Sequence, residues 1–338
     1  MKILVTGGAG FIGSHTCVEL LKDKGTEIVI IDNLRNSKKE AINRIEKISS
    51  RKVKFYQNDL LDKTSLESIF STENIDAVIH FAALKAVGES VSMPLEYYEN
   101  NLNSTINLLN CMKKFNVKKI VFSSSATVYG NPESNPISET AKLNCTNPYG
   151  RTKLFNEEIL KDFATANNAF GIVLLRYFNP IGAHASGLIG EDPQGIPNNL
   201  VPYISQVASG KLETLKVFGN DYNTKDGTGV RDYIHVVDLA HGHVLALKKL
   251  ESSKGVLTYN LGTGRGYSVL EVLKAFENTL GKPIPHVFFE RRPGDIAVCY
   301  ANPEKAEKEL GFKAAYDLNV MVKDAWNWQK NNPEGYKN

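Results

Sequence analysis

A chain of 338 residues with 42% hydrophobic and 23% charged residues can bury a core of its own, which excludes wholesale disorder and fibrous classes. The formal net charge of +3, from 40 Lys and Arg against 37 Asp and Glu, is small and scattered, so nothing marks a nucleic-acid or anionic-membrane surface. The longest apolar runs, such as Ile172 to Leu175, fall far short of the ~18 residues a membrane span needs.

Lys2 to Thr6 reads as a first strand, and the apolar run at Met1 to Val5 is too short for a secretory signal. Short β-branched runs follow at Glu27 to Ile31, Val53 to Tyr56, Ala77 to Phe81, Ile120 to Ser123 and Gly171 to Leu175. Helical patterns lie between them at Ser14 to Asp23, Lys38 to Ser49, Thr64 to Thr72 and Pro94 to Phe115. Strands separated by helices of this size need crossovers, so the expected fold is α/β: a doubly wound, mostly parallel sheet covered on both faces.

After Tyr177 the pattern changes. Asn179 to Thr228 is rich in Gly, Pro and Asn, with turn signals at Asn179-Pro180, Asp192-Pro193, Ile196-Pro197 and Asp226-Gly227, and reads as long functional loops. Apolar periodicity returns at Val236 to Leu250, Val269 to Leu280 and Leu318 to Trp328. The expected organisation is a nucleotide-binding domain over 1–178, with some later segments contributing, and a smaller substrate-binding lobe over 179–338. Cys17, Cys111, Cys145 and Cys299 lie far apart with no metal-ligand spacing, and read as free thiols of a reducing cytoplasm.

Gly7, Gly10 and Gly13 fall between the first strand and the first helix. Glycine there permits a sharp turn and a close approach of backbone to a pyrophosphate, whose charge rests on the helix N-terminus. The spacing G-x-x-G-x-x-G differs from the dehydrogenase form G-x-G-x-x-G, and a Gly-rich turn can also be purely structural. Asp32 ends the second strand about 20 residues later, where a carboxylate accepts from a ribose 2′-hydroxyl and repels a 2′-phosphate, which favours NAD over NADP. The nearby Arg35 argues the other way, and the alternative for Asp32 is a turn residue in Asp-Asn. Asp59 reads either as an adenine neighbour or as a cap for the helix that includes Thr64.

Tyr149 and Lys153, four apart behind Pro148, share one face of a helix. A phenol ionises near pH 10, so holding it ionised near neutrality takes about three units, or ~4 kcal/mol. A neighbouring ammonium and a positive nicotinamide ring are suited to supply it. Ser123, Ser124 and Ser125 close the fifth strand at the sheet edge where ligands bind, and Ser125 is the candidate partner for a substrate oxygen.

Together these residues resemble the extended short-chain dehydrogenase/reductase superfamily, with its Rossmann sheet, and within it the UDP-galactose 4-epimerase family. The likeness spans almost the whole chain: Val5 to His15, His80 to Pro94, Phe122 to Gly130, Tyr149 to Lys153, Leu175 to Gly182, Gly190 to Pro202, Gly219 to His235 and Arg291 to Asp295. It implies inversion at C4 of a UDP-hexose with NAD retained through the cycle, and a place in galactose metabolism. Tyr149 would take the 4-hydroxyl proton while C4 gives hydride to nicotinamide. Lys153 would hold the nicotinamide ribose and depress the phenol pKa, and Ser125 would bridge the 4-oxygen. The 4-keto sugar would then turn over and be reduced on its other face.

The same resemblance implies NAD contacts at Phe11, Ile12, Asn33, Asn36, Ser37, Leu60, Phe81, Ala82, Ala83, Lys85, Asn100 and Phe178, beside the three glycines, Asp32, Asp59, Tyr149 and Lys153. For the UDP-sugar it implies Lys85, Ser125, Tyr149, Asn179, Asn199 and Leu200, with Lys216, Val217 and Phe218 along the uracil. Arg231 and Arg292 would grip the diphosphate and Asp295 the uridine ribose. Arg231 could instead pair with Asp232. The residue at Cys299 is bulky in some family members and small in others; cysteine there implies room for 2-acetamido sugars, UDP-GlcNAc and UDP-GalNAc. A 4,6-dehydratase would need acids where Ala126 and Thr127 stand. Family members are commonly homodimers, which points to pairing through Pro94 to Phe115 and Tyr149 to Thr165.

Overall fold

The computed structural model describes residues 1–292 and 294–337; Pro293, inside the Arg291 to Asp295 stretch, lies outside them. The first half runs β1 (Lys2–Thr6), α1 (Phe11–Leu20), β2 (Glu27–Asp32), α2 (Glu40–Ser49), β3 (Lys54–Gln57), α3 (Lys63–Glu73), β4 (Ala77–His80), α4 (Val87–Ser92), α5 (Pro94–Lys114), β5 (Lys119–Ser123), α6 (Pro148–Ala166) and β6 (Gly171–Tyr177). All six anticipated strands form. Asn147 caps α6 by accepting from the Gly150 N–H at 2.8 Å, and Pro148 sits in the first turn, where its missing N–H leaves no bond unmade.

The second half runs β7 (Asn179–Ile181), α7 (Leu200–Ala208), β8 (Leu215–Phe218), β9 (Val230–His235), α8 (Val236–Lys249), β10 (Gly255–Leu261), β11 (Gly266–Ser268), α9 (Val269–Leu280), β12 (His286–Phe289), β13 (Val298–Cys299), α10 (Glu304–Leu310) and α11 (Leu318–Asn331). The stretch 179–228, expected as loops, therefore contains a helix and two strands. Its turn residues are real, but α7 begins directly after them, and Val201, Ile204 and Val207 supply a buried stripe that the Gly, Pro and Asn content obscured.

The central sheet has seven parallel strands in the order β10-β6-β5-β4-β1-β2-β3. Successive residues alternate between its two faces, and both are apolar. Ile3, Val5, Ile30, Ile79, Val121 and Val173 pack toward Cys17 and Val18 of α1 and Leu239 of α8. Leu4, Val29, Ile31, Val78, Ile120 and Ile172 pack toward Leu66, Leu108, Met112 and Leu160 of α3, α5 and α6. Each such fully buried side chain contributes about 2 kcal/mol, and burial on both faces is why these strands read as continuous apolar runs. The direction of winding reverses between β1 and β4, which opens a crevice beyond the carboxyl ends of these two strands. A second core, built from α7, α9, α11 and β8, holds the smaller lobe together around Ile204, Val217, Phe276 and Val322.

Candidate active site

At that crevice lies a cleft of about 360 Å³, lined by the turn after β1, the ends of β2 to β6 and the segment after Gly190. Gly7 adopts φ +70°, and a Cβ on it would stand 2.8 Å from the Ala82 nitrogen. Gly13 passes so close that its Cβ would lie 2.3 Å from the Gly7 carbonyl oxygen. Gly10 occupies the N-cap position of α1 with no side-chain cap and no acidic residue in the first turn, leaving the place of a cap to an anion. These backbone features fit a pyrophosphate.

Asp32 is nearly buried. One carboxylate oxygen accepts from Ala9 N at 3.0 Å, and the other from Leu34 N at 2.9 Å and Ser37 Oγ at 2.8 Å. Burial pushes its carboxyl up, against the pull of those three donors. It thus ties the Gly-rich turn to the loop after β2 while still facing the cleft. Asp59 is not the cap of α3: Asp62 accepts from Ser65 N at 3.1 Å and caps that helix. Asp59 instead accepts from Asn33 Nδ2 at 2.8 Å, joining two cleft residues. Phe11, Ile12, Asn36, Ser37, Leu60, Phe81, Ala82, Ala83, Lys85 and Asn100 all line the same cleft.

The far end holds Tyr149 and Lys153. The Lys153 ammonium nitrogen donates to the Ser123 carbonyl at 2.7 Å and lies 5.9 Å from the centre of the Tyr149 ring. Burial pushes the Tyr149 phenol up to about 12, with a hydrogen bond from Ser125 pulling the other way. Burial also pushes Lys153 down to about 7. Burial thus disfavours the charged form of each group. Ser125 Oγ also accepts from Thr127 N and Thr127 Oγ1 at 3.2 and 3.0 Å, so Thr127 supports the serine and offers no acid.

Phe178 is turned away from the cleft and packs with Val128, Tyr129, Ile137 and Ala301. Tyr177, one residue earlier at the carboxyl end of β6, lines the cleft, its hydroxyl bonded to Ser123 Oγ. Glu191 was also missed: it accepts from Lys85 Nζ at 3.4 Å and Asn199 Nδ2 at 2.9 Å, so that the 190–199 segment crosses the cleft mouth. Gln194 fastens the same segment to the Arg35 carbonyl.

The residues expected to meet the UDP portion gather on the smaller lobe. Arg231 of β9 stands opposite Cys299 of β13. Its Nη1 donates to the carbonyls of Val230 and Ile296, and its Nη2 lies 3.9 Å from Asp295. Arg292 Nε donates to the same Asp295 at 2.8 Å, with its guanidinium 5.1 Å from the centre of the Phe218 ring. Asp232 is not the partner of Arg231; it is buried and accepts from Thr263 N, Thr263 Oγ1, Gly264 N and Ala301 N. The strand alternation of β8 exposes Lys216 and sends the Val217 side chain into the second core, so only the main chain of Val217 is available to a ligand. Asn179 begins β7, and Asn199 and Leu200 form the start of α7.

A doubly wound sheet with a glycine cradle at one end of its crevice and a Tyr-x-x-x-Lys pair at the other defines an extended short-chain dehydrogenase/reductase. Residues 4–325 match the family model for GDP-mannose 4,6 dehydratase. The chain is 63% identical over 337 residues to the UDP-glucose 4-epimerase of Bacillus subtilis, covering 100% of this chain and 99% of that one. Among solved structures, the Bifidobacterium longum UDP-glucose 4-epimerase in complex with NAD+ and UDP superposes with a TM-score of 0.96 at 57% identity, covering 99% of this chain and 100% of that one. The Campylobacter jejuni UDP-Glc/GlcNAc 4-epimerase superposes with a TM-score of 0.85 at 40% identity, covering 98% and 99%. The chain belongs to the UDP-glucose 4-epimerase family.

Proposed function

We infer from this membership and from the cleft that the protein is an isomerase, interconverting UDP-glucose and UDP-galactose at C4 with NAD as its cofactor. The observation that carries the reading is the single cleft that joins the Gly7–Gly13 cradle to Tyr149 and Lys153. When bound, NAD supplies a reversible acceptor for the C4 hydrogen and a positive ring that the site otherwise lacks. The pyrophosphate would rest on the first turn of α1, with the adenosine ribose at Asp32 and the remaining cleft residues along the dinucleotide.

Tyr149 takes the proton of the 4-hydroxyl and returns it, acting as base and then as acid. Ser125 holds both the phenol and the sugar oxygen, and Lys153 anchors the nicotinamide ribose. On the smaller lobe Arg231 and Arg292 exchange part of their hold on Asp295 for the diphosphate, freeing that carboxylate for the uridine ribose. A UDP gripped there leaves the hexose free to present either face. Ala126 and Thr127 carry no acid–base pair beside the serine, which disfavours elimination of water as in a dehydratase.

Four further readings go with this one. Residues 1–178 and 179–338 serve as nucleotide and UDP-sugar lobes, interleaved through α8 and β10. Leu95 and Ile106 on α5 and Phe155 on α6 are exposed apolar side chains on the two helices assigned to a homodimer, and they support that assembly. The four cysteines are free thiols, in keeping with a cytoplasmic protein. Cys299, smaller than tyrosine, leaves room for a 2-acetamido group. Purified protein incubated with UDP-galactose and no added nucleotide should form UDP-glucose, and Tyr149→Phe should lower turnover about 10²-fold or more with UDP-sugar binding retained. Unchanged turnover in that variant refutes the assignment of the base.

A further inference from the structure

Helix α6 carries Tyr149, Lys153 and Glu157 at intervals of four, one above another on the face turned to the end of β5. The three serines after Phe122 meet that stripe one by one. Ser125 stands by the Tyr149 phenol and draws its pKa down, the Ser123 carbonyl accepts from Lys153, and Ser124 Oγ donates to Glu157 Oε1 at 2.5 Å. The third contact lies outside the cleft, and the chemistry described so far makes no use of it.

Ser124 and Glu157 are wholly buried. Arg176 of β6 answers the carboxylate with a two-pronged bond, Nε to Oε1 at 2.9 Å and Nη2 to Oε2 at 2.5 Å. Its remaining nitrogen donates to Tyr129 Oη and the Glu139 carbonyl, each at 3.1 Å. Tyr129 passes the chain to Asn260 of β10 at 2.7 Å, and Asn260 donates to the Ile137 carbonyl at 2.8 Å. Well-packed apolar side chains of the same volume stabilise a core at least as well as such a network. What charged, directional bonds add is a fixed distance and orientation between the elements they join.

We propose that Glu157 is a positioning residue for the epimerisation: through Ser124 it clamps the serine turn against α6 and so sets the approach of Ser125 to Tyr149, while Arg176 fixes the direction of its carboxylate. Tyr149 is otherwise faced by Lys153 from its own helix, Tyr97 of α5 and Tyr177 of β6. Ser124 touches none of these. The inference rests on the reading of Tyr149 as the proton-handling group.

Glu157→Gln leaves Arg176 buried without its counter-charge and endangers folding. Ser124→Ala removes one hydroxyl and keeps the ion pair, so it is the informative variant. On the NAD-containing enzyme with UDP-galactose, kcat should fall about tenfold while KM stays within twofold and bound NAD per chain is unchanged. The acid limb of kcat should move to higher pH, because a loosened Ser125 supports the phenolate less. Unchanged kcat and acid limb overturn the proposal, as does a loss of kcat only in proportion to folded protein. Tyr149→Phe measured alongside separates the two readings. If it stays active, the base is misassigned; if it is inactive while Ser124→Ala is normal, only the role of Glu157 falls.

Discussion

Lys153→Met should make the folded protein more stable at neutral pH while lowering its turnover. Burial takes the Lys153 ammonium from an ordinary 10.5 to about 7. Each unit is 1.36 kcal/mol, so keeping a lysine there costs about 4 kcal/mol at pH 7. Methionine has nearly the same length and no charge; against that gain, the Ser123 carbonyl loses its donor, a loss of ~1 kcal/mol. The net is about 3 kcal/mol, and at ~2.1 cal/mol/K of unfolding entropy per residue over 338 residues Tm rises by about 4 °C. The sign with pH follows from proton counts. Below about pH 7 lysine is protonated in both states and the burial penalty is complete. Between about 7 and 10.5 the unfolded chain keeps a proton that the folded one has shed, so wild type gains stability as pH rises and the variant's advantage shrinks. Urea unfolding of nucleotide-stripped protein at pH 6, 8 and 10 measures it, since bound NAD would add its own stabilisation. A variant less stable than wild type at pH 6, or an advantage independent of pH, refutes the reasoning.

Gly13→Ala places a methyl group 2.3 Å from the rigid Gly7 carbonyl; displacing that turn should weaken NAD retention about tenfold or more, read as NAD released on denaturing the purified protein. UDP-GalNAc should be turned over, and Cys299→Tyr should abolish that activity while sparing UDP-galactose; no turnover by wild type removes the role given to Cys299. Phe155→Glu puts a charge on the apolar face of α6 and should convert a homodimer to monomer in sedimentation, with the cleft residues untouched.

Five of the first six strands were legible because parallel strands buried on both faces, such as Ile28 to Ile31, leave unbroken apolar runs; β3, only partly buried, was read from the short run Val53 to Tyr56. Asp32 and the glycine turn were legible for a related reason: a strand end and a helix start bracket them in sequence. β10 was not, since Gly255 to Thr258 are only partly buried and the strand finds its partner β6 across a long stretch of intervening chain. Tertiary pairings were equally hidden: nothing in the order of residues says that Arg231 and Arg292 share Asp295, or that Glu191 stands between Lys85 and Asn199. Most of the residues proposed for the UDP portion came from resemblance rather than from any local pattern.

β10 completes the outer edge of the nucleotide sheet beside β6, yet it is encoded after β7, α7, β8 and β9 of the other lobe. During synthesis β6 must therefore wait with its edge bare until residue 261 has left the ribosome. A fragment stopped between residues 177 and 255 presents an unpaired, largely apolar strand, an invitation to aggregate. The two halves of this molecule can be told apart on paper, but no single cut in the gene yields either one intact.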